Sequence, residues 1–403
     1  MAEKYDVGIL GVWFGCNYGS IATYYALEKT IESFGKSVLM VHRPWLTPYN
    51  RENMEKRHSL RFAREHYQIS ESYQVQDMGK LNDLCDAFVL GSDQIWNYGV
   101  TKIFGHSYFL DFAADDKKKI AYATSFGNNK FRAPWDYAQK AAACMQRMDA
   151  VSVREAEGVK ILKDLFGVKA THVLDPVLMA EPHLLGDLAD KAQRTENNPY
   201  IATYILDPDE KKREALLHVS EKLDKKLINM LDGWYHLFDR NKKALNLPNT
   251  VEKLQVEEWL GYFKNSDFVI TDSFHGTCMA ILFQKPFIAI GNPGRGSSRF
   301  ESLLGGLGLK HRYVEKADEI LVNRRLLEGV NFQEVNRKIE AERKRSREWL
   351  KTALDGEKME VSMSGAARLR GKIGMVHACG EFYLRDGVKP VVKRGIKRVL
   401  KRK

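Results

Sequence analysis

Short, wholly apolar segments alternate with helical segments through most of this chain, and that alternation constrains the fold more than any other feature. Apolar runs without alternating polar side chains are typical of strands that are buried on both faces of a parallel sheet. The first series of predicted strands comprises residues 7–12, 38–41, 87–90, 120–123, 150–153 and 172–174, and the second comprises residues 201–206, 226–230, 268–270 and 287–290. The sequence therefore predicts the α/β class, with helices covering both faces of each sheet.

A polar stretch between residues 180 and 198 separates the two series of strands. The chain has 403 residues, more than a single core usually holds. We therefore predict one α/β domain over residues 1–180 and a second over residues 198–330, with a ligand cleft between the carboxyl ends of their strands. A long charged helix at residues 331–355 is predicted to cross back onto the first domain, and a basic tail occupies residues 360–403.

The net charge of +11 is not spread evenly along the chain. Twelve basic and two acidic residues lie between positions 368 and 403, so the body is close to neutral and no nucleic-acid partner is predicted. The five cysteines are scattered without metal-ligand spacing, which favours a reducing compartment such as the cytoplasm and predicts neither disulfides nor a bound metal. No apolar run is long enough to span a bilayer, and the N-terminus lacks a signal-peptide pattern.

Polar side chains follow the predicted strands of the first domain. Asn17 and Tyr18 lie in a glycine-containing turn before a helix, where backbone N–H groups either bind an anion or form a tight strand-to-helix turn. The segment after the third strand contains Ser92, Asp93, Gln94 and Trp96. It is interpreted either as a helix cap or as a hydroxyl-binding loop, in which Asp93 and Gln94 form hydrogen bonds and Trp96 stacks on a sugar face.

Charged side chains follow three later strands. Arg154 has the planar fork that suits a phosphate or carboxylate, although a surface salt bridge is the alternative. His275 begins a helix, whose partly positive end disfavours the protonated imidazole, and Asp272 beside it either orients the histidine or caps the helix. Arg295 and Arg299 lie in a glycine-rich loop that is either an anion-binding lid or a solvated surface loop.

Taken together, six segments resemble the motifs of the polysaccharide pyruvyl transferase family, in the family's order, across roughly residues 5–310. They are Asn17-Tyr18-Gly19 leading into Thr23-Tyr24-Tyr25-Ala26-Leu27, the segment Gly91-Ser92-Asp93-Gln94-Ile95-Trp96-Asn97, the segment Ile120-Ala121-Tyr122-Ala123-Thr124-Ser125-Phe126-Gly127, Ser152-Val153-Arg154-Glu155, Leu174-Asp175-Pro176 and Thr271-Asp272-Ser273-Phe274-His275-Gly276. Each motif is weak alone, and the specificity comes from their order.

The resemblance implies two Rossmann-like domains in a GT-B-like arrangement, with the acceptor on the first domain and the donor on the second. It also implies phosphoenolpyruvate as the donor, a sugar diol of a glycan or lipid-linked precursor as the acceptor, and a cyclic pyruvate ketal as the product. Neither a metal nor a nucleotide cofactor is implied. On this basis Asn17, Tyr18, Ser92, Gln94 and Trp96 are assigned to the acceptor.

The family's arginine and histidine correspond to Arg154 and His275, and both are expected to contact the donor. One position departs from the pattern, because many members have Arg-Leu-His where this chain has Ser273-Phe274-His275. Arg295 or Arg299 is expected to supply the missing charge. The catalytic hypothesis gives His275 acid–base work or phosphate contact, places Asp93 on the acceptor hydroxyl and lets Asp272 orient the histidine.

Two other functions remain open from the sequence, namely a GT-B-like glycosyltransferase that uses a nucleotide sugar and a non-catalytic partner in polysaccharide synthesis. The tail is a separate feature. Apolar residues from Val388 to Leu400 recur at helical spacing among lysines and arginines, which predicts either an amphipathic helix on an anionic membrane surface or a disordered basic tail. A cytoplasmic protein at the inner face of the membrane would fit the first alternative.

Overall fold

The computed structural model describes residues 3–46, 57–193, 196–292 and 296–356, together with Met375 and Cys379. Its first half forms a six-stranded parallel sheet in the order β2-β1-β3-β4-β5-β6. The strands are β1 (Tyr5–Leu10), β2 (Val38–Met40), β3 (Cys85–Leu90), β4 (Lys118–Thr124), β5 (Ala150–Val153) and β6 (Thr171–His172).

The second half forms a five-stranded parallel sheet in the order β11-β10-β9-β7-β8. The strands are β7 (Tyr200–Ile205), β8 (Lys226–Leu231), β9 (Phe268–Thr271), β10 (Phe287–Ile290) and β11 (Tyr313–Val314). The ten predicted strands are therefore present, with ends that differ by up to two residues. Strand β11 escapes prediction because two residues carry too little periodicity.

Helices connect the strands and cover both sheets. The α-helices are α1 (Tyr18–Glu32), α2 (His58–His66), α3 (Tyr98–Thr101), α4 (Trp135–Met145), α5 (Ala156–Ile161), α6 (Pro176–Met179), α7 (Pro182–Ala189), α8 (Glu210–Leu223), α9 (Tyr235–Leu245), α10 (Val256–Lys264), α11 (Phe274–Leu282), α12 (Ser298–Leu307) and α13 (Phe332–Asp355). The predicted α/β class with two Rossmann-like domains is confirmed.

Helix α13 lies against the first sheet, although it follows the second in sequence. The hydroxyl of Ser346 accepts a hydrogen bond from the backbone N–H of Leu174 at 3.0 Å, and the Lys118 ammonium donates to the carbonyl of Leu354 at 2.6 Å. Met375 and Cys379 are buried in the same hydrophobic core. The rest of the basic tail and Arg295 lie outside the described residues.

Both sheets reverse their strand order next to their first strand. In the first sheet β1 lies between β2 and β3, and in the second β7 lies between β8 and β9. Ligands of open α/β sheets bind at such reversal points, beyond the carboxyl ends of the strands. The loops that follow β1, β3 and β9 are therefore the ones on which a site is expected. Within the part of the chain that the structure describes, no helix has the length and apolarity to cross a membrane.

Candidate active site

The first residues of α1 form one wall of the site. Asn17 caps the helix, because its side-chain oxygen accepts from the backbone N–H of Ser20 at 3.1 Å. Tyr18 crosses between the domains, since its hydroxyl donates to the carbonyl of Leu254 at 3.0 Å and its ring stacks on His58. Both residues were assigned to the acceptor from the sequence, and that assignment stays a prediction; in the structure they hold the helix and the domain interface.

Asp93, in the loop after β3, is the most strained residue of the site. Its φ of +86° lies in a region that favours glycine, and such strain concentrates at functional positions. Its carboxylate accepts hydrogen bonds from the hydroxyl of Ser20 and from Arg154, the latter at 3.2 Å. Burial is the largest single influence and opposes ionisation, but Arg154, His275, the hydrogen bond from Ser20 and Arg299 together outweigh it and hold the pKa of Asp93 far below its usual range. Asp93 is therefore ionised at every physiological pH.

Arg154, in the segment after β5, is fully buried between two carboxylates. It donates to Asp93 at 3.2 Å and to Asp175 at 2.7 Å. Burial disfavours the cation, yet Asp175 and Asp93 together raise the pKa of Arg154 above its usual value. Ser92 is also buried and accepts from Arg154 at 3.2 Å. The guanidinium predicted to bind the donor is thus already ion-paired within the protein.

His275 lies in the first turn of α11 and contacts this cluster from the second domain. Nη1 of Arg154 lies 3.2 Å from Nε2 of His275. Because a guanidinium can only donate, Nε2 accepts and the ring proton is on Nδ1. Burial lowers the pKa of His275 to about 4, with Asp93 opposing the shift and Arg154 adding to it. The imidazole is neutral at pH 7, as the sequence predicts.

A close approach of two helices fixes His275 in place. A Cβ built on Gly19 in the first turn of α1 would overlap the side chain of His275. Only glycine therefore allows α1 to approach the imidazole at this distance. The helix α11 begins with Ser273, whose hydroxyl accepts from the backbone N–H of Gly276 at 3.3 Å. At the position where the resemblance implies an arginine, this chain has a helix cap.

Two arginine side chains lie on the ring of Phe274. The guanidinium of Arg154 lies 4.7 Å and that of Arg299 5.5 Å from the ring centroid, both within cation–π range. The side-chain oxygen of Gln94, with its amide oriented by these contacts, accepts from both terminal nitrogens of Arg299 at 3.2 and 3.1 Å. Arg299 therefore brings a positive charge to the ring of Phe274, and its part in replacing the missing arginine stays a prediction.

Asp272 and Trp96, which the sequence places in the site, contact residues outside the cluster instead. Asp272 accepts from the backbone N–H of Leu206 at 2.6 Å and from the Lys212 ammonium at 2.8 Å, so its carboxylate ties β9 to the loop after β7. The carboxylate is used in these two hydrogen bonds and not in one to His275. The indole of Trp96 is 1% exposed and packs between Phe109 and Phe126, which leaves no face on which a sugar could stack.

Sequence reasoning assigned no role to Asp175, although the structure places it at the centre of the cluster. Its carboxylate pairs with Arg154, lies 4.0 Å from Nε2 of His275 and caps α6 by accepting from the backbone N–H of Val177 at 3.1 Å. The sequence carries one signal for a capping role of Asp175, namely its position directly before Pro176, because proline often follows a capping residue at a helix start. Ser20 was also overlooked, since a serine in a helix start reads as an ordinary cap.

A cavity of about 700 Å³ opens between loops of the two domains, and Ser298, which lines it, directly precedes Arg299 of the cluster. The loop after β4 contributes Asn128 and Arg132, and the loop after β10 contributes Asn292 and the segment from Gly296 to Ser298. The backbone of Gly296 lies directly against the carbonyl of Gly127, so the two loops touch across the cleft. The cavity is large enough for a small donor and the end of a glycan.

One group of potential metal ligands occurs among the described residues, and it lies elsewhere in the fold. Glu65, His66 and Glu257 have ligand atoms within 4.8 Å of one another. Arg61 lies among them, donating to Glu65 at 2.8 Å and to Glu257 at 2.9 Å. The carboxylates are therefore held by a guanidinium across the domain interface, which fits an ion-pair network better than a cation site.

Two Rossmann-like domains with a site between the ends of their strands define a GT-B-like transferase fold. The chain resembles UDP-GlcNAc 2-epimerase from Methanocaldococcus jannaschii, with a TM-score of 0.50, 14% identity, and coverage of 92% of this chain and 98% of that one. It also resembles UDP-GlcNAc 2-epimerase from Neisseria meningitidis (TM-score 0.46, 10% identity, 92% and 99% covered) and an O-GlcNAc transferase mutant from Thermobaculum terrenum (0.43, 13%, 94% and 69%). At these identities the likeness shows the fold alone.

The family is shown by the sequence itself. The model of the polysaccharide pyruvyl transferase family matches residues 17–294, and the chain belongs to that family. The match begins at the cap of α1 and ends after β10, so it includes Asp93, Arg154, Asp175 and His275 and stops before Arg299. No curated protein matches the chain.

Proposed function

We propose that this protein transfers pyruvate from phosphoenolpyruvate to a sugar of a surface polysaccharide or of its lipid-linked precursor, forming a cyclic ketal. The observation that carries the proposal is the contact between Arg154 and His275, which joins the two domains at the cleft within the family's matched region. Asp93 and Arg299 lie in the same cluster. The site thus combines a neutral base, an ionised carboxylate and a buried cation.

The proposed reaction balances without an added cofactor. Two sugar hydroxyls add to the central carbon of the enol, the methylene carbon takes one proton and becomes a methyl group, and the phosphate leaves with the other proton. Charge develops at the central carbon, so the site must remove a hydroxyl proton and stabilise the leaving phosphate. A carboxylate and a phosphate on the donor both require fixed positive charge.

His275 is proposed as the base. Because Nδ1 carries the ring proton, the neutral imidazole can take a hydroxyl proton only at Nε2, in exchange for the hydrogen bond from Arg154. Its position in the first turn of α11 keeps it close to the partly positive helix end. The alternative role, in which the N–H of a neutral ring donates to the donor phosphate, uses the same protonation state. Asp272 is better explained as a link between β9 and the loop after β7, because its carboxylate is occupied there.

Arg154 and Arg299 are proposed to have different roles. Arg154 is ion-paired to two carboxylates, so its main part is to position His275 and Asp93. Arg299, in the first turn of α12, is proposed to bind the donor anions together with Arg295, which precedes that helix in sequence. The two would take the place of the arginine that Ser273 replaces. Asp93 is proposed to accept a hydrogen bond from the acceptor hydroxyl, because it is ionised and only partly buried.

A thermal-shift panel tests the donor. Phosphoenolpyruvate at saturating concentration is expected to raise the melting temperature, because a ligand that binds only the folded state stabilises it. UDP-sugars and UDP are expected to have no effect. Stabilisation by nucleotide sugars alone would instead support a glycosyltransferase. The absence of stabilisation by any donor, combined with binding of glycans, would support a non-catalytic partner in polysaccharide synthesis.

The protein is proposed to act at the cytoplasmic face of the cell membrane. A lipid-linked acceptor would be presented there, and the basic, apolar-striped sequence from Val388 to Leu400 suits an anionic lipid surface. No nucleic acid, metal or nucleotide cofactor enters the proposal.

A further inference from the structure

A groove on the surface of the first domain extends away from the cavity between the domains. Its volume is about 390 Å³, and the loop after β3, helix α3 and the loop after β4 form its walls. The partly exposed ring of Tyr98, the buried rings of Trp96, Phe126 and Phe131, and the amide of Asn97 line it. Rings with amide groups beside them are suited to sugars, whose apolar faces pack on the ring while the hydroxyls bond to the amides.

The groove is continuous with the cavity between the domains. Asn128 and Arg132 line both spaces, so a chain-like ligand can run from one to the other. The cavity lies beside Gly296 and Ser298, at the start of the helix that carries Arg299. A glycan whose end is held near the donor therefore has a path along the groove.

The ionisable residues that line the groove are all basic. They are Lys102, Lys130 and Arg132, and no carboxylate lines the groove among the described residues. The cavity between the domains differs, because Glu157, Glu301 and Glu315 line it beside its own cations. The positive charge is therefore specific to the groove and does not reflect a generally basic surface in this part of the protein.

Arg132 stands at the junction of the two spaces without a hydrogen-bond partner for its Nε, which is buried. No ion pair of Arg132 is found within the described parts of the chain. The ammonium of Lys102 lies 5.7 Å from the ring centroid of Tyr98, which places a charge on the rim next to an aromatic surface. An unpaired, partly desolvated guanidinium is costly unless an anion binds to it.

We infer that this groove binds the acceptor glycan and that the acceptor carries a negatively charged group next to the sugar. The inference rests on the proposed function for the identity of the ligand as an acceptor. The shared chemistry is an oxyanion with two or more acceptor oxygens, which a diphosphate link to a lipid or a uronic-acid carboxylate could supply. Specificity for such acceptors would come from Lys102 and Arg132 and not from the catalytic cluster.

Direct binding measurements on the full-length protein, without donor, test the inference. Three probes separate the sources of the anion: chitobiose linked through a diphosphate to a short polyprenyl chain, tetragalacturonic acid, and neutral chitotetraose. At least one anionic probe is expected to bind about tenfold or more tightly than the neutral probe, and that advantage should shrink as salt is raised. The diphosphate and the carboxylate arms tell which oxyanion is preferred.

The double variant Lys102→Gln/Arg132→Gln is expected to lose the tenfold advantage, while the affinity for chitotetraose stays the same. Its matched control, Lys222→Gln/Lys351→Gln, removes two charges from α8 and α13, outside the groove, and should bind as the wild type does. Equal affinity for all three probes, or an advantage that survives in the double variant or at high salt, would overturn the inference. Since no donor is present, failure of pyruvyl transfer would be seen only in the separate donor assays.

Discussion

The imidazole of His275 can act only through the protonation state that its surroundings impose. Arg154 donates to Nε2, Gly19 presses against the ring, and burial keeps the pKa near 4. These three features select a neutral ring with its proton on Nδ1. Asp272, whose carboxylate is bonded to Leu206 and Lys212, takes no part in selecting this form.

The protonation state gives a prediction for nuclear magnetic resonance. In protein with ¹⁵N-labelled histidine, the signal of His275 should remain that of a neutral Nδ1–H ring from pH 8 down to about pH 5. Protonation should set in only as the pH falls through about 4, because the pKa of the folded state is lowered. The variant His275→Asn assigns the signal by removing it. A midpoint close to the ordinary value of 6.5 would contradict the burial and the contact with Arg154.

The pair of Arg154 and Asp175 gives a prediction for stability. Replacing Asp175 with Asn keeps the size of the side chain but leaves a buried guanidinium with one carboxylate fewer, and this should lower the free energy of unfolding by about 3 kcal/mol. The exposed pair of Asp190 and Lys264 is the control, since Asp190→Asn should cost about 1 kcal/mol or less. Urea unfolding measures both. Equal losses in the two variants would show that the buried pair is not central to the fold.

At the scale of elements, the N-termini of two helices, one from each domain, contact each other at the site. Helix α1 follows β1 in the first domain and α11 follows β9 in the second, and Gly19 lies against His275 where they meet. Each helix directs its partly positive end towards the site, which favours an anionic ligand. The geometry therefore depends on how closely the two helices approach.

Adding one methyl group at the helix contact should separate these helices. The substitution Gly19→Ala places a Cβ on the side chain of His275, and overpacking of this kind typically costs about 1–3 kcal/mol. We expect turnover to fall by about tenfold or more, because a displacement of His275 by a fraction of an ångström spoils its alignment. Gly306→Ala in α12 is the control: open space surrounds that position, and its turnover should match the wild type. Wild-type turnover in Gly19→Ala would show that the close approach of α1 and α11 does not position His275.

The elements show what the sequence could and could not predict. The strand at residues 287–290 was predicted with its correct ends, because an apolar run between polar segments is a local property. Helix α9 (Tyr235–Leu245) was not predicted, since its few apolar residues lack a clear period. In the site, the loops after strands locate Arg154 and His275, which lie 121 residues apart. That they bond to each other, and that Trp96 is buried between two phenylalanines, are long-range contacts that no local pattern contains.

At the scale of the whole molecule, helix α13 holds the C-terminal part of the chain against the first domain, and Met375 and Cys379 lie in the core beyond it. The sequence that follows residue 387 is basic and comes after this segment in the chain. A membrane contact through it would bring the protein to the surface at which the proposed lipid-linked acceptor is presented.

Truncation after residue 386 tests this arrangement while it keeps Met375 and Cys379 in place. The full-length protein should co-sediment with vesicles that contain anionic lipids, and the truncated protein should bind them about tenfold or more weakly, because most of the excess charge is lost. Vesicles of neutral lipid are the control and should bind both forms equally poorly. If truncation leaves binding to anionic vesicles unchanged, the tail does not contact the membrane.

The central claim is tested most directly by following one carbon atom from donor to glycan. Protein is incubated with phosphoenolpyruvate labelled with ¹³C at its central carbon and with a lipid-linked glycan fraction, and the glycan and the released phosphate are measured. We predict one labelled ketal carbon for each phosphate released. The rate should fall by about a hundredfold or more in His275→Asn and remain unchanged in His311→Asn, an exposed histidine outside the site. Label that never enters the glycan, or wild-type rates in His275→Asn, would contradict the account.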